Sequence, residues 1–142
     1  MSDPAPLLRL PMAANLGGFE IARLQARRFL QTQGLDEVTL GTVELVLEEC
    51  VTNTLRYGYG ETGLRWIELE LVLQPDAVHL SIEDDARGFD PLSVPEPELP
   101  RSLEEAQVGG LGLLMVRRAT TELRYTRLPG RNRLSARIAR AA

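Results

Sequence analysis

The chain has 142 residues and a formal net charge of −4, with 44% hydrophobic and 25% charged residues, which are ordinary values for a globular protein. This length buries a core without disulfides, and the acidic balance lacks the basic footprint of a dedicated nucleic-acid binder. All 16 basic residues are arginines, which excludes any chemistry that depends on a lysine amine. The lone Cys50 suits a reducing cytoplasm, and neither a signal peptide nor a membrane-spanning run is indicated.

The chain shows no internal repeat, and we predict one domain over residues 1–142. Apolar spacing and turn residues predict a strand, two helices, two strands, a third helix and two closing strands. In chain order these cover about 7–12, 16–33, 36–57, 64–74, 77–83, 110–119, 123–128 and 134–139. Helices combined with hairpins indicate an α+β fold, a two-layer α/β sandwich. Its sheet is expected to be mixed but mostly antiparallel, with the helices on one face.

The two long helices each carry an apolar side that we expect to face the sheet. In the first helix the predicted core residues are Phe19, Ala22, Leu24, Ala26, Phe29 and Leu30. In the second they are Val43, Val46, Leu47, Cys50, Val51 and Leu55. The strand at 64–74 alternates polar and apolar residues, as in a sheet with one face in water.

Glu49 and Asn53 lie four residues apart on the second helix, so both project from one face. An amide oxygen is a suitable Mg²⁺ ligand, and a carboxylate could act as a general base. Glu48 points about 100° away from Glu49, so the spacing selects Glu49. The same pair also fits an ordinary solvated helix face. Arg56, one turn further, either neutralises phosphate or lies in solvent.

Asp84 follows the predicted strand 77–83, where the chain enters a loop. A carboxylate at that point could accept a hydrogen bond from an exocyclic amine such as that of adenine. Gly88 would let the backbone pass close to a flat base. An acidic turn without a ligand fits these residues as well.

Gly109, Gly110 and Gly112 stand before the third helix. Glycines there allow backbone N–H groups to approach an anion, which the helix N-terminus also favours. Neither a P-loop nor a dinucleotide-binding fingerprint is present, and close packing of the helix on the sheet would need the same glycines.

Taken together and in this order, the three segments resemble the N box, G1 box and G2 box of the GHKL ATPase superfamily. Within it, the chain is most similar to the bacterial anti-sigma-factor serine/threonine kinases. The segments that carry this resemblance are ELVLEECVTNTLRYGY, DDARGFDP, GGLGLLMVRR and RYTRLPGRNRLSARI. The resemblance implies a GHKL-type fold, also called the Bergerat fold.

The resemblance also implies residue roles. Glu49 matches the general base, Asn53 the magnesium ligand and Asp84 the aspartate that binds adenine. Gly88 matches the second glycine of the Asp-x-Gly-x-Gly pattern, whereas Ala86 replaces the first and could shift the purine.

Gly110 and Gly112 match the glycines that allow a phosphate lid to close, and Gly109 adjoins them. Residues 90–108 would form that lid. His79 and Cys50 are expected to be structural.

The resemblance implies an ATP- and Mg²⁺-dependent protein kinase that also acts as an anti-sigma factor in the cytoplasm. Its substrate would be a serine or threonine of a STAS-type anti-sigma-factor antagonist, and a sigma factor and a second copy of the chain are further possible partners. The alternatives are a nucleotide-gated binding module with little or no kinase activity and a detached catalytic domain of a histidine kinase.

Overall fold

In a computed structural model of the chain, the described residues are 4–58, 66–88, 92 and 110–141. They form eight elements in the predicted order. In chain order these are β1 (Leu7–Ala13), α1 (Leu16–Thr32), α2 (Glu37–Gly58), β2 (Trp66–Leu73), β3 (Ala77–Asp84), α3 (Gly110–Ala119), β4 (Glu122–Leu128) and β5 (Arg131–Ala139). The predicted α+β fold class is confirmed.

The five strands form one sheet in the order β1-β2-β3-β5-β4. Every pair of neighbouring strands among the described residues is antiparallel, so the described sheet is uniform rather than mixed. For β2–β3 and β4–β5 this follows from the connections, because short turns reverse the chain direction.

Local signals set the ends of the helices. Asn15 caps α1 by accepting a hydrogen bond from the Gly18 backbone N–H at 2.7 Å. Asp36 does the same for α2, accepting from the Thr39 N–H at 2.9 Å. After α1, Gly34 adopts φ +78°, a left-handed conformation that favours glycine.

The hairpin between β4 and β5 turns through Pro129 and Gly130. Gly130 has φ +72°, and proline followed by a left-handed glycine is the residue order of a type II turn. The turn fixes the register of β4 against β5, which places Asn132 opposite Arg127. On its other edge β5 pairs with β3, where Asn132 lies directly opposite Asp84.

The hydrophobic core lies between the helices and one face of the sheet. Its fully buried members include Leu30, Leu40, Val43, Val46, Leu47, Val51, Ile67, Leu69, Leu71, Val78, Ile82 and Ile138. The predicted core positions of α2 are all buried. In α1 the prediction was wrong for Leu24, which is 57% exposed. Leu24 lies two residues from both Ala22 and Ala26, which places it on the opposite side of a helix.

The other face of the sheet is charged. Arg9 pairs with Glu70 across β1 and β2 at 2.7 Å, and Glu83 of β3 contacts Arg131 and Arg133 of β5 at 3.3 and 3.6 Å. Because this face is polar and the other packs the core, the predicted alternation along the strands is confirmed. No helix within the described ranges is long and apolar enough to span a membrane.

Candidate functional site

One half of the site lies on α2. Glu49 and Asn53 are both half-buried there, whereas Glu48 is exposed. The pair lies in a narrow crevice between α2, α3 and β5. The residues that line it are Glu49, Cys50, Thr52, Asn53, Arg56, Leu113, Val116 and Leu134. The free volume is ≈ 10 Å³, room for about one water molecule.

Gly112 in the first turn of α3 packs directly against Glu49. A methyl group placed on Gly112 would lie 2.6 Å from the Glu49 carboxylate carbon and nearer still to one of its oxygens. Carbon atoms in ordinary contact are about 3.5–4.0 Å apart, so a side chain at 112 would displace the carboxylate. Glycine at 112 is therefore what lets α3 close onto α2 with Glu49 in this position.

Burial changes the acid–base properties of this half of the site. It raises the pKa of the Glu49 carboxyl, with a further contribution from the charge on Glu48, while Arg56 acts in the opposite direction. Burial also raises the pKa of the Cys50 thiol to about 12. Glu49 is therefore a better proton acceptor than an exposed glutamate. Cys50 stays a neutral core side chain, as expected from the sequence.

The other half of the site is the end of β3. Asp84 is its last residue and is only 6% exposed. Its Oδ1 accepts hydrogen bonds from the Ala86 N–H and the Asn132 amide, both at 2.9 Å. Within the described part of the chain, Oδ2 accepts no hydrogen bond. Burial raises the pKa of Asp84, and the bonds from Asn132 and Ala86 counter that rise.

The turn after Asp84 accommodates Ala86 without strain. Ala86 is buried, and no described non-glycine residue has a positive φ, so a glycine is not needed at this position for backbone geometry. The carbonyl oxygen of Ala86 accepts from Arg127 at 3.0 Å. Gly88 also lacks a positive φ, and a methyl group there would lie 3.4 Å from the Arg127 side chain. In this structure the flat group beside Gly88 is the guanidinium of Arg127.

The two halves meet at the inner face of β5. Asn132 contacts Asp84, and Leu134, two residues on, lines the crevice with Glu49 and Asn53. Residues two apart on one face of a strand are separated by about 7 Å. The fold therefore places the predicted adenine-binding end and the predicted phosphate end side by side.

Sequence analysis did not find Asn132 and Arg127 as site residues. The segment that holds them, RYTRLPGRNRLSARI, was given only as one of the segments that carry the family resemblance. The contact of Asn132 with Asp84 depends on strand pairing between residues 48 positions apart, which local spacing does not reveal. Arg127 contacts the Ala86 carbonyl and Asn132, which also depends on strand pairing. A polar residue two positions after the turn glycine, on the inner face of a strand, was the available signal.

The remaining predicted residues are placed as follows. Gly110 is the first residue of α3. Gly109 lies outside the described residues, as does all of the predicted lid 90–108 except Leu92, whose carbonyl accepts from Arg117 at 2.9 Å. Arg56 is exposed beside the crevice.

His79 lies on the charged face of the sheet. It borders a separate cavity of ≈ 490 Å³, which contains none of the predicted site residues.

The donor set suits magnesium bound together with phosphate. The described residues contain no cluster of three or more His, Cys, Asp or Glu side chains that would hold a metal alone. Glu49 and Asn53 offer one carboxylate and one amide. Mg²⁺ commonly takes only one or two protein ligands and completes its shell with phosphate oxygens and water. Asn53 is thus a reasonable ligand only when a nucleotide supplies the other oxygens.

Comparison with known proteins places the chain in a protein family. The family model of the histidine kinase-like ATPase domain matches residues 12–138. The serine/threonine-protein kinase BtrW of Bordetella bronchiseptica is 33% identical over 94 residues, 66% of each chain. An anti-sigma F factor of Oceanobacillus iheyensis is 33% identical over 75 residues, 48% of this chain and 50% of that protein. The matches thus span between half and two thirds of these relatives.

Solved structures share the fold at lower identity. The SiaB–SiaC complex of Pseudomonas aeruginosa contains a chain with a TM-score of 0.66 at 19% identity, covering 92% of this chain and 88% of that one. The RsbU and RsbW domains of a Mycobacterium tuberculosis protein give 0.63 at 19% identity, covering 98% and 34%. These likenesses concern the arrangement of helices and strands alone.

Proposed function

The chain belongs to the histidine kinase-like ATPase domain family, and on that premise we propose that it is an ATP-dependent protein serine/threonine kinase that acts as an anti-sigma factor. The observation that carries the proposal is the contact between α2 and α3, where Gly112 leaves room for the Glu49 carboxylate beside Asn53. Catalysis of phosphoryl transfer rests on positioning and electrostatics. The Glu49 carboxylate and the Asn53 amide lie on one face of α2 with Gly112 opposite, so they could position the acceptor hydroxyl and a phosphate-bound Mg²⁺.

ATP would bind with its adenine at Asp84 and its phosphates toward α2 and α3. Asp84 supports this because its Oδ1 already accepts two bonds and its Oδ2 is available to the exocyclic amine. Asn53 would hold Mg²⁺, which neutralises charge on the phosphates. A ligand of this size needs several hundred Å³, so most of the nucleotide would lie outside the ≈ 10 Å³ crevice, with only its phosphate end beside Glu49 and Asn53.

Glu49 would act as the general base. The acceptor hydroxyl oxygen forms a bond to the γ-phosphorus, the bond from that phosphorus to the bridging oxygen of ADP breaks, and the hydroxyl proton passes to Glu49. The pKa of Glu49 is raised by burial, which makes the carboxylate a stronger acceptor for that proton. Glu48 is exposed and points away from the crevice, so it would not contact the acceptor hydroxyl and would act only through its charge, which contributes to the raised pKa of Glu49.

The protein substrate would be a STAS-type anti-sigma-factor antagonist, and a sigma factor would be the second partner. The similarity to a serine/threonine-protein kinase and to anti-sigma F factors supports this choice of partners. We place the protein in the cytoplasm as a single domain over 1–142, with a homodimer as its expected assembly.

Transfer of labelled phosphate from ATP to a purified STAS-domain antagonist tests the proposal. Wild-type protein should label the antagonist, and Glu49→Ala should lower the rate by about 10²- to 10⁴-fold. Glu48→Ala is the matched control, since it removes a neighbouring carboxylate that lies outside the crevice; it should change the rate far less than Glu49→Ala, because Glu48 acts only through its charge on the pKa of Glu49. Full activity of Glu49→Ala would overturn the role of Glu49 as the base.

A second candidate function is a nucleotide-gated binding module without kinase activity. The crevice favours it, because its lining comes from α2, α3 and β5, so that a phosphate end bound beside it would contact several elements and could thereby control a partner site. Tight, ATP-dependent binding of the antagonist without label transfer would support the module over the kinase.

A further inference from the structure

Two of the three buried polar or charged residues in the described part of the chain face each other. Asp84 and Asn132 are each 6% exposed and lie opposite one another on β3 and β5. The third, Thr39, lies at the other end of the molecule, where its hydroxyl accepts from the Ala141 N–H at 3.0 Å. Buried polar groups are costly unless they are hydrogen-bonded, so the hydrogen bonds of Asp84 and Asn132 must offset the cost of burying both side chains.

The contacts of Asn132 fix the orientation of its amide. Its Oδ1 accepts from Arg127 at 3.1 Å and from the Tyr125 hydroxyl at 2.5 Å. Its Nδ2 donates to Asp84 Oδ1 at 2.9 Å and to the carbonyls of Ala86 and Arg87 at 3.1 and 3.2 Å. Arginine nitrogens only donate and carbonyl oxygens only accept, so the reversed amide would place like groups together on both sides.

This arrangement also fixes the carboxylate of Asp84. Oδ1 is held between the Asn132 amide and the Ala86 N–H, so the carboxylate cannot rotate without losing both bonds. Oδ2 is thereby left in a defined direction with its acceptor capacity unused among the described residues. The same amide also ties the turn 84–88 to β5 through two backbone carbonyls.

We infer that Asn132 is a positioning residue for recognition of the nucleobase: its amide holds Asp84 so that Oδ2 faces the exocyclic amine of adenine. This inference rests on the proposed function. Asn132 does not itself contact the base in this role. It determines how strongly the site distinguishes a purine that carries the amine from one that lacks it.

A purely structural role for Asn132 predicts a different result. If the amide only held the turn 84–88 to β5, its loss would weaken binding of every nucleotide in proportion and lower stability. If it aims the carboxylate, its loss reduces the preference for the amine more than it reduces overall binding. The ratio of two affinities therefore separates the roles.

The experiment is calorimetric titration of the full chain, with Mg²⁺, using ATP and purine riboside triphosphate, which lacks only the exocyclic amine. In the wild type we expect ATP to bind about 10- to 100-fold more tightly than purine riboside triphosphate, because a hydrogen bond to a charged group contributes an affinity difference of that size. Asn132→Leu is close in size but can neither donate nor accept, and should reduce that ratio to below about 3-fold. Asn132→Ser keeps one donor and should keep part of the ratio.

Thr39→Val is the matched control, because it removes a buried hydrogen bond far from Asp84 and should leave the ratio unchanged. An Asn132→Leu ratio equal to that of the wild type would overturn the inference while leaving ATP binding intact. Equal wild-type affinities for the two nucleotides would instead overturn the proposed contact between Asp84 and adenine. If Asn132→Leu does not fold, Asn132→Ser decides by itself: a ratio unchanged from the wild type contradicts the inference, and a reduced ratio supports it.

Discussion

Gly112→Ala tests the contact between α3 and the carboxylate of Glu49. The added methyl would lie 2.6 Å from the Glu49 carboxylate carbon, whereas ordinary carbon contacts are about 3.5–4.0 Å. The carboxylate must therefore move by about 1 Å or more. Because the atoms in the way are the end of a flexible side chain, Glu49 can turn aside, and the backbone need not move.

Gly112→Ala should change the stability of the protein little and its catalytic rate strongly. Alanine favours a helix over glycine by about 0.5–1 kcal/mol, which offsets the cost of turning Glu49, so stability should change little. A displacement of about 1 Å at a catalytic group costs about 10²-fold in rate, so kcat for phosphoryl transfer should fall by about that factor. KM for ATP should change less, since Asp84 and Asn53 are untouched.

The assay is steady-state phosphoryl transfer with thermal unfolding measured in parallel. Gly41→Ala is the matched control, because Gly41 lies in α2 and a methyl there meets nothing within 4 Å. It should stabilise the protein by about 0.5–1 kcal/mol and leave kcat unchanged.

A double variant tests the mechanism of the effect. In a Glu49→Ala background, Gly112→Ala should cause no further loss of rate, because the displaced group is already absent. The same loss in both backgrounds would refute the reasoning and point to another role for Gly112.

Asn53→Ala should weaken ATP binding in the presence of Mg²⁺ and have little effect in its absence, as measured by calorimetry under both conditions. The pKa of Glu49 is raised by burial, so kcat should fall with decreasing pH along a limb that lies above the ordinary glutamate value of about 4.3; a limb at or below that value would contradict the assignment. The same raised pKa means that ionised Glu49 disfavours folding, so Glu49→Gln should raise the unfolding midpoint at neutral pH and lose that advantage in acid. Cys50, with its pKa near 12 and its burial in the core, should not react with a thiol reagent in the folded protein at pH 8 but should react after denaturation. Gly130→Ala should lower stability by about 1 kcal/mol, because φ +72° strains a side chain.

Elements with strong local signals could be predicted from the sequence. The C-terminal end of α1 and the β4–β5 turn follow from Gly34 and from Pro129–Gly130, with both glycines in the left-handed conformation that such positions favour. The core face of α2 follows from its spacing. Leu24 was wrongly predicted to lie in the core because the helical period was applied only approximately. A strict period of 3.6 residues places it on the side opposite Ala22 and Ala26, where it is exposed.

In the candidate site, too, local spacing predicts some contacts and not others. Glu49 and Asn53 are one helical turn apart, so their adjacency is a local property and was predictable. The contact of Gly112 with Glu49, and the amide of Asn132 on Asp84, join segments far apart in the sequence. Those contacts depend on the packing of α3 and on the register of β5, which a single sequence does not encode in any short pattern. Their lengths and directions had to come from the structure.

The central claim is that the chain binds ATP with its base at Asp84 and its phosphates near Asn53. Calorimetric titration of the full chain with ATP, with and without Mg²⁺, tests it most directly when Asp84→Asn is measured beside the wild type. We predict binding that Mg²⁺ strengthens and that Asp84→Asn weakens about 10-fold or more, because an amide is a poorer acceptor for the adenine amine than a carboxylate. Absence of ATP binding by the wild type under both conditions would contradict the account.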